Sequence, residues 1–263
     1  MADAPIVHYV IPDVQAKPGT DFTFLRYIGE DIVKRRPDVI ICLGDWWDMP
    51  SLSSYDAGTA MGEGRRLRED IEAGIDAMQM LLLPLHELQR QQRSHKVKQY
   101  KPRMVFTLGN HEQRLARHIN EHPELIGFVS YETLGLQGFG WEVYDFLQPV
   151  DIDGISYVHY LANAMTGKPY GGRAMNQLAS AGKSFVVGHK QVLDIAIRPI
   201  LDGSMQLGII AGACYEHNEE YKGHQGNAHW RGLVVIHDVK NGFGEPMPLS
   251  LNYFKRTYGA AEQ

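Results

Sequence analysis

The sequence predicts an α/β fold in which two β-sheets pack together and helices cover their outer faces. In the amino-terminal half, short apolar runs alternate with segments of helical periodicity in the order β-α-β-α-β. In the carboxyl-terminal half, most apolar runs have the length of a strand and follow one another with few helical segments between them. An alternating first half and a β-rich second half favour two packed sheets with helices outside.

The first half divides at its prolines and its polar loops. The predicted elements are strands at 6–12, 39–43 and 104–108, and helices at 21–36, at 65–91 and from about 112. The first helix has Phe22, Leu25 and Ile28 on one face, and Pro37 ends it. Pro84 lies inside the second helical pattern and predicts a kink or a split there.

The second half is predicted to consist mostly of strands. They are placed at 141–146, 155–159, 184–187, 192–199, 205–211, 232–238 and 247–253, with one helix at 172–181. An irregular polar segment at 215–231 carries His217, His224 and His229, which we expect to contact a substrate or solvent rather than to hold a metal ion of their own.

The composition is that of a globular protein without a bias toward nucleic acid or membrane. The chain has 263 residues and a formal net charge of −5 with histidine neutral, so no global basic field attracts nucleic acid. Cys42 and Cys214 are too few and too distant for a disulfide framework, which favours a reducing compartment. We recognise no signal peptide and no membrane-spanning run, and therefore expect a cytoplasmic protein without a membrane partner.

Polar residues collect at five points, each directly after an apolar strand run. The clusters are Asp13 and Gln15, 44–48 (GDWWD), 109–112 (GNHE), His159, and 188–191 (GHKQ). In α/β sheets, sites form beyond the carboxyl ends of strands, so we expect the five clusters to meet at one edge. Gly44 and Gly109 allow the backbone to turn sharply there.

The side chains of these clusters suit a divalent cation. They offer carboxylates, imidazoles and amide oxygens but no thiolate, which excludes a zinc site of the cysteine type. Such donors bind borderline-hard ions, of which Mn²⁺, Fe²⁺, Zn²⁺ and Mg²⁺ are the candidates.

The motifs GDWWD and GNHE, in this order and each after a strand, resemble those of the calcineurin-like metallophosphoesterases. The resemblance runs from Asp13 to Gln191, and the run GNHEQRLARH is also similar to phosphoesterases encoded by bacteriophages. It implies a four-layer αββα sandwich of two mixed β-sheets flanked by helices. We expect a single domain over residues 1–263, in which residues 50–102 form a helical insertion that either caps the site or only adds core.

The resemblance assigns a role to each cluster. It implies a pair of metal ions held by Asp13 at the first, by Asn110, His159 and His189 at the second, and by Asp45 at both. His111 would contact the phosphate and protonate the leaving oxygen, and Asp48 would orient its imidazole. Arg114, within one turn of His111, would reach the substrate phosphate unless it is an ordinary arginine of the helix surface.

The sequence departs from the family pattern at Gln15 and Gln191, where the family has histidine. Both positions serve the first metal, and an amide oxygen suits Mn²⁺ or Mg²⁺ better than late transition metals. Three alternatives follow: the amides bind the first metal, the first metal binds weakly and arrives with substrate, or the site runs on one metal or is degenerate. Mn²⁺ is the favoured cofactor, with Mg²⁺, Fe²⁺, Zn²⁺ and Ni²⁺ as alternatives.

The implied activity is hydrolysis of phosphate esters by a metal-activated hydroxide, with His111 as general acid. Two features favour phosphodiesters such as nucleotides or nucleic acid. Segment 90–103 is basic with no acid, which makes it either a solvated loop or a phosphate-steering edge. One of Trp46 and Trp47 is expected to pack under the site, and the other is a candidate for the rim, where it would stack a base or an aromatic leaving group.

Two other functions compete with this one. A phosphomonoesterase, including a protein phosphatase, is the close alternative, although Met49 and Pro50 stand where the protein-phosphatase branch has Arg-Gly. A non-catalytic binding protein with a degenerate metal site is the alternative of a different class. A phage-encoded member would work in the host cytoplasm. The sequence indicates no oligomeric state.

Overall fold

The computed structural model describes residues 5–54, 62–219 and 223–259. Residues 55–61, which belong to the predicted insertion, lie outside these ranges. The helices are α1 (Thr23–Arg35), α2 (Leu67–Ser94), α3 (Glu112–Glu121), α4 (Ala174–Ala181), α5 (Gly223–Asn227) and α6 (Leu251–Tyr258). The strands are β1 (Ile6–Ile11), β2 (Val39–Cys42), β3 (Arg103–Thr107), β4 (Glu142–Tyr144), β5 (Val150–Ile152), β6 (Ile155–Val158), β7 (Phe185–Val187), β8 (Leu193–Pro199), β9 (Met205–Ala211), β10 (Gly232–Lys240) and β11 (Phe243–Ser250).

The first sheet has six strands in the order β11-β10-β1-β2-β3-β4. Strands β1 to β4 run parallel, and β10 pairs antiparallel with both β1 and β11. All four residues of β2 are buried, as expected for a strand covered on both faces. Val39 at the start of β2 pairs with His8 and with Arg103, so the carboxyl ends of three parallel strands lie side by side.

The second sheet has five strands in the order β5-β6-β7-β9-β8. Strands β6, β7 and β9 are parallel, while β5 and β8 are antiparallel edge strands. Both sheets are therefore mixed. The carboxyl ends of β6 and β7 lie next to each other, and this brings His159 and the 188–191 loop to the same edge.

Apolar cores separate four layers. The first core packs α1, α2 and α6 against one face of the first sheet, where Ile40 and Phe106 project. The second core lies between the sheets and joins Ile41 to Ile209. The third core packs Leu178 of α4 against the outer face of the second sheet. The predicted αββα sandwich of two mixed sheets flanked by helices is confirmed.

Helix α2 forms most of the described part of the predicted insertion. It runs unbroken through Pro84, so the predicted split does not occur. Pro84 is buried against α1, where a Cβ on Gly29 would lie 3.0 Å from its ring. This close packing of two helices offsets the cost of the backbone hydrogen bond that is lost at proline. The helix adds Met78 and Leu82 to the first core.

The chain after β10 differs from the prediction. Residues 247–253 were expected to form one strand, but β11 ends at Ser250 and α6 begins at Leu251. The hydroxyl of Ser250 accepts a hydrogen bond from the backbone N–H of Tyr253, so this serine caps the helix. Strand β5 has only three residues and was missed because so short a run shows no clear period.

Within the described ranges, no helix combines the length and the apolar character needed to cross a membrane.

Candidate metal and catalytic site

The five polar clusters meet at one edge, as predicted. The amide oxygen of Asn110 lies 2.9 Å from Nε2 of His159 and 2.8 Å from Nδ1 of His189. Oδ1 of Asp13 accepts a hydrogen bond from the backbone N–H of His189 at 3.0 Å. The backbone N–H of Gln15 donates to the carbonyl of Asp45 at 2.9 Å. These contacts join loops from both sheets into one site.

The backbone turns sharply at several candidate ligands. Gln15, Asp45, His189 and Gln191 have φ values of 47°, 48°, 65° and 56°, in the left-handed region that non-glycine residues rarely occupy. Such backbone strain persists where the surroundings hold it, and it concentrates at functional sites. Gly109 is needed for a different reason, since a Cβ there would lie 2.2 Å from Oδ1 of Asp45.

One group of donors combines a carboxylate with two imidazoles. Ligand atoms of Asp45, His159 and His189 all lie within 4.8 Å of one another. Nδ1 of His159 lies 2.7 Å from the carbonyl of Leu43, which turns Nε2 toward the group. With Asn110 between the two imidazoles, this group matches the predicted second metal position.

The pKa values of the two imidazoles diverge. Burial lowers the pKa of His159, but the carboxylate of Asp45 outweighs it and raises that pKa to about 9. Burial and the neighbouring His159 lower the pKa of His189 to about 4. A divalent cation at this position would compete with the proton on His159 for the same nitrogen.

The other group of donors offers oxygen only. Oδ2 of Asp13 and Oε1 of Gln15 are buried without a hydrogen-bond partner. Burial and the nearby Asp45 raise the pKa of Asp13 to about 7. The amide oxygen of Gln191 accepts a hydrogen bond from the Tyr215 hydroxyl at 2.9 Å. Unpaired buried acceptors are costly, so this group fits a cation.

His111 lies beside Asp45, whose Oδ1 accepts a hydrogen bond from the His111 backbone N–H at 2.9 Å. Its Nδ1 is 2.7 Å from the backbone carbonyl of Asp48 and 3.1 Å from the Asp48 carboxylate. Nδ1 of His111 therefore faces two acceptors of Asp48: the carboxylate that was expected to orient the imidazole, and the backbone carbonyl of the same residue. Nε2 lies 3.8 Å from Asp45. Burial lowers the pKa of His111, but the carboxylates of Asp45 and Asp48 outweigh it and leave it above the usual value.

Arg114 is half-buried next to His111 rather than free on the helix surface. One guanidinium nitrogen donates to the carbonyl of Asp48 at 2.8 Å, and the other lies 3.2 Å from Nε2 of His111. The guanidinium thus stands on the side of the imidazole from which a leaving group would take a proton. The expected contact between Arg114 and a substrate phosphate stays a prediction.

Glu112 has a positioning role that the sequence did not reveal. Its buried carboxylate accepts hydrogen bonds from four backbone N–H groups, those of Asp45, Trp46, Trp47 and Gly109, at 2.8–3.1 Å. It therefore ties the GDWWD loop to the GNHE loop. The only signal in the sequence was its place in the GNHE motif.

The two features that favoured nucleic acid do not lie at the site rim. Trp46 and Trp47 are fully buried, and their indole N–H groups donate to the carbonyls of Gly74 and Ile71 in α2, so the predicted rim-exposed tryptophan is wrong. The basic segment 90–103 leads into the amino end of β3, whereas the site follows its carboxyl end. It therefore lies at the opposite end of the strand from the site, and most of its residues are exposed.

Comparisons with known proteins do not assign this chain to a family. No protein-family model matches the sequence, and no curated protein matches it. A search of solved structures matches a crystal structure over 94% of this chain and 100% of its own, at a TM-score of 0.42 and 11% identity. Values this low carry no argument about fold or function.

Proposed function

We propose that the chain is a metal-dependent phosphoesterase of the calcineurin-like type. The observation that carries this proposal is the pair of buried oxygens without partners, on Asp13 and Gln15, beside the group of Asp45, His159 and His189. A cation between these atoms would satisfy acceptors that are otherwise costly to bury. The motif resemblance to this family supports the same assignment and remains a prediction.

The two groups of donors differ in their chemistry. The oxygen group of Asp13, Gln15 and Gln191 suits Mn²⁺ or Mg²⁺, while the imidazole group also suits Fe²⁺, Zn²⁺ or Ni²⁺. Asp45 serves both groups, so Mn²⁺ is the cation that fits the whole site best. When bound, divalent cations would supply an activated water and would neutralise charge on the phosphate.

The chain's own residues supply the proton and part of the substrate contact. His111 has Nδ1 turned toward Asp48, so Nε2, which now faces Arg114, would carry the proton for the leaving oxygen. Arg114 would move its guanidinium from Nε2 to a phosphate oxygen when substrate binds. Glu112 keeps Asp45 and the GNHE loop in register, so these groups are held in place before substrate arrives.

Phosphodiesters and phosphomonoesters remain rival substrates of this proposal. The buried tryptophans and the distant basic segment remove the two reasons for favouring nucleic acid. The site residues do not favour either substrate class, because a phosphodiester and a phosphomonoester each offer at least two phosphate oxygens to a cation. A direct assay must therefore compare them.

The proposal is tested with metal-stripped protein to which Mn²⁺, Mg²⁺, Zn²⁺ or Ni²⁺ is returned. Turnover is measured on bis(4-nitrophenyl) phosphate and on 4-nitrophenyl phosphate. We expect turnover of at least one ester, highest with Mn²⁺. Asn110→Ala should abolish it, while Asn176→Ala, on the exposed side of α4, should not. Silence on both esters with every metal would leave the non-catalytic binding protein as the better explanation.

A further inference from the structure

A lysine next to the metal-binding loop is held between two carboxylates. Nζ of Lys17 lies 3.0 Å and 3.1 Å from the two carboxylate oxygens of Glu219. The same nitrogen lies 3.8 Å from Oδ2 of Asp48. Asp48 in turn faces His111 with its other oxygen at 3.1 Å. A continuous row of charges therefore leads from the 215–231 segment to the proposed general acid.

Glu219, the closer of the two carboxylates to Lys17, is buried and held in place by neighbouring residues. Glu219 is 5% exposed, and its backbone N–H and C=O both pair with the side-chain amide of Asn227. His217 lies 2.7 Å from the Glu219 carboxylate, and its ring stacks on Tyr215. Burial raises the pKa of Glu219, but His217 and Lys17 outweigh it and lower that pKa to about 2. Glu219 is thus a fixed anion.

The backbone of Lys17 is fixed as well. The preceding residue, Ala16, donates its N–H to the carbonyl of Trp46 at 2.7 Å and accepts from the N–H of Asp48 at 2.9 Å. The loop after β1 and the GDWWD loop therefore form one unit. Lysine side chains on a surface are usually mobile, whereas this one is constrained at its backbone and at its ammonium group.

We propose that Lys17, clamped by Glu219, is a positioning residue for the Asp48–His111 pair. This inference rests on the proposed phosphoesterase function. The ammonium group holds one oxygen of Asp48, so that the other oxygen stays on Nδ1 of His111. Nε2 then points at the leaving oxygen, and the proton passes from Nε2 to that oxygen as the P–O bond breaks. Glu219, which is distant from Lys17 in sequence, thereby helps to position the general acid.

The test uses the dependence of rate on the leaving group. Protonation by a general acid matters for a poor leaving group such as phenolate and little for 4-nitrophenolate. In Lys17→Met, we expect kcat to fall about tenfold on phenyl esters and less than about twofold on 4-nitrophenyl esters, with KM unchanged. Lys17→Arg should restore most of the loss. Lys183→Met, which removes an exposed lysine paired with Asp151, is the matched control and should behave as wild type.

Two further variants separate this role from simple neutralisation of Glu219. Adding Lys17→Met to Asp48→Asn should cause no further loss, because both changes act on the same pair. Glu219→Gln should show the same dependence on the leaving group, with a smaller loss than Lys17→Met. This second variant keeps the inference testable if Lys17→Met folds poorly. Equal losses on both esters, a raised KM, or a lower melting temperature with an unchanged pattern would overturn the inference alone. Absence of wild-type turnover would overturn the proposed function, and the inference with it.

Discussion

At the scale of single residues, the site is defined by which polar atoms have partners. Asp13 and Gln15 each present a buried oxygen without one, while Gln191 has Tyr215 as a partner. The amides at positions 15 and 191 are thus placed differently, although the sequence predicts the same role for both. Gln15 is the amide that a cation would satisfy most directly.

Replacing this amide by imidazole should change the metal preference. In Gln15→His, we expect tighter binding of Zn²⁺ and Ni²⁺ relative to Mn²⁺, because imidazole suits late transition metals better than an amide oxygen. Isothermal titration calorimetry of the metal-stripped variant measures this preference, and circular dichroism should show an unchanged fold. Gln137→His, at an exposed loop position, is the control. The same order of metal affinities in wild type and variant would count against Gln15 as a ligand.

Residue types and their places after strands were enough to predict which side chains meet. Asp13 and Asn110 come together because the carboxyl ends of β1 and β3 lie at one edge of the first sheet, and His189 joins them because β7 of the second sheet ends on the same side. The sequence could not show that Trp46 and Trp47 are buried, since that depends on α2 covering them. It also could not show that the backbone carbonyl of Asp48 contacts His111, because a backbone acceptor has no sequence signature.

At the scale of elements, the amino end of α3 connects the two motif loops. Glu112 begins this helix, and its carboxylate accepts four backbone N–H groups at once. The Glu112 carboxylate therefore holds the helix, the GDWWD loop and the GNHE loop together.

Removing the charge of Glu112 should destabilise this unit. In Glu112→Gln, one side-chain oxygen becomes an N–H₂ donor that faces backbone donors, and we expect a loss of about 3 kcal/mol in the free energy of unfolding. Urea denaturation measures the loss. Glu142→Gln, which breaks an exposed pair with Arg103, should cost less than about 1 kcal/mol. Equal losses in the two variants would refute the positioning role of Glu112.

Element boundaries were predictable where a strong local signal exists. Strand β2 and helix α1 agree with the sequence within two or three residues, because Pro37 separates them. The prediction of one strand across the boundary between β11 and α6 is wrong. An apolar run continues across this boundary, and only the Ser250 cap marks the start of the helix. The unbroken α2 shows that packing of Pro84 on α1 overrides a local preference.

At the scale of the whole molecule, the two sheets are joined by a buried polar contact. His8 of β1 is fully buried, with Nδ1 2.6 Å from the hydroxyl of Tyr157 in β6 and Nε2 3.0 Å from Asp153. His8 is therefore a core histidine with a partner at each ring nitrogen. Burial lowers the pKa of His8, and Asp153 only partly opposes this.

This contact should make stability depend on pH. The folded state binds the His8 proton less readily than the unfolded state, so its contribution is present above about pH 6.5 and is lost as pH falls below that value. In His8→Gln, the free energy of unfolding should therefore decline less steeply between about pH 6.5 and pH 5 than in wild type. Urea denaturation across this range measures both slopes, with the exposed His95→Gln as control. Parallel curves for wild type and His8→Gln would refute this role.

The layer architecture followed from patterns, whereas the order of strands did not. Apolar runs without alternation predicted strands buried on both faces, and the β-rich second half predicted a second sheet. The insertion of β10 beside β1 joins residues more than two hundred positions apart. No local pattern in the sequence encodes such a pairing.

In the proposed site, the five strand ends hold two catalytic cations. The most direct test titrates metal-stripped protein with Mn²⁺ and follows turnover of bis(4-nitrophenyl) phosphate and of 4-nitrophenyl phosphate. We predict that activity on at least one ester rises until about two Mn²⁺ per chain are bound, as for sites in which a pair of cations shares one bridging ligand. Asp45→Asn should remove both the binding and the activity. A chain that binds no Mn²⁺, or that binds it without any turnover, would contradict the proposed function.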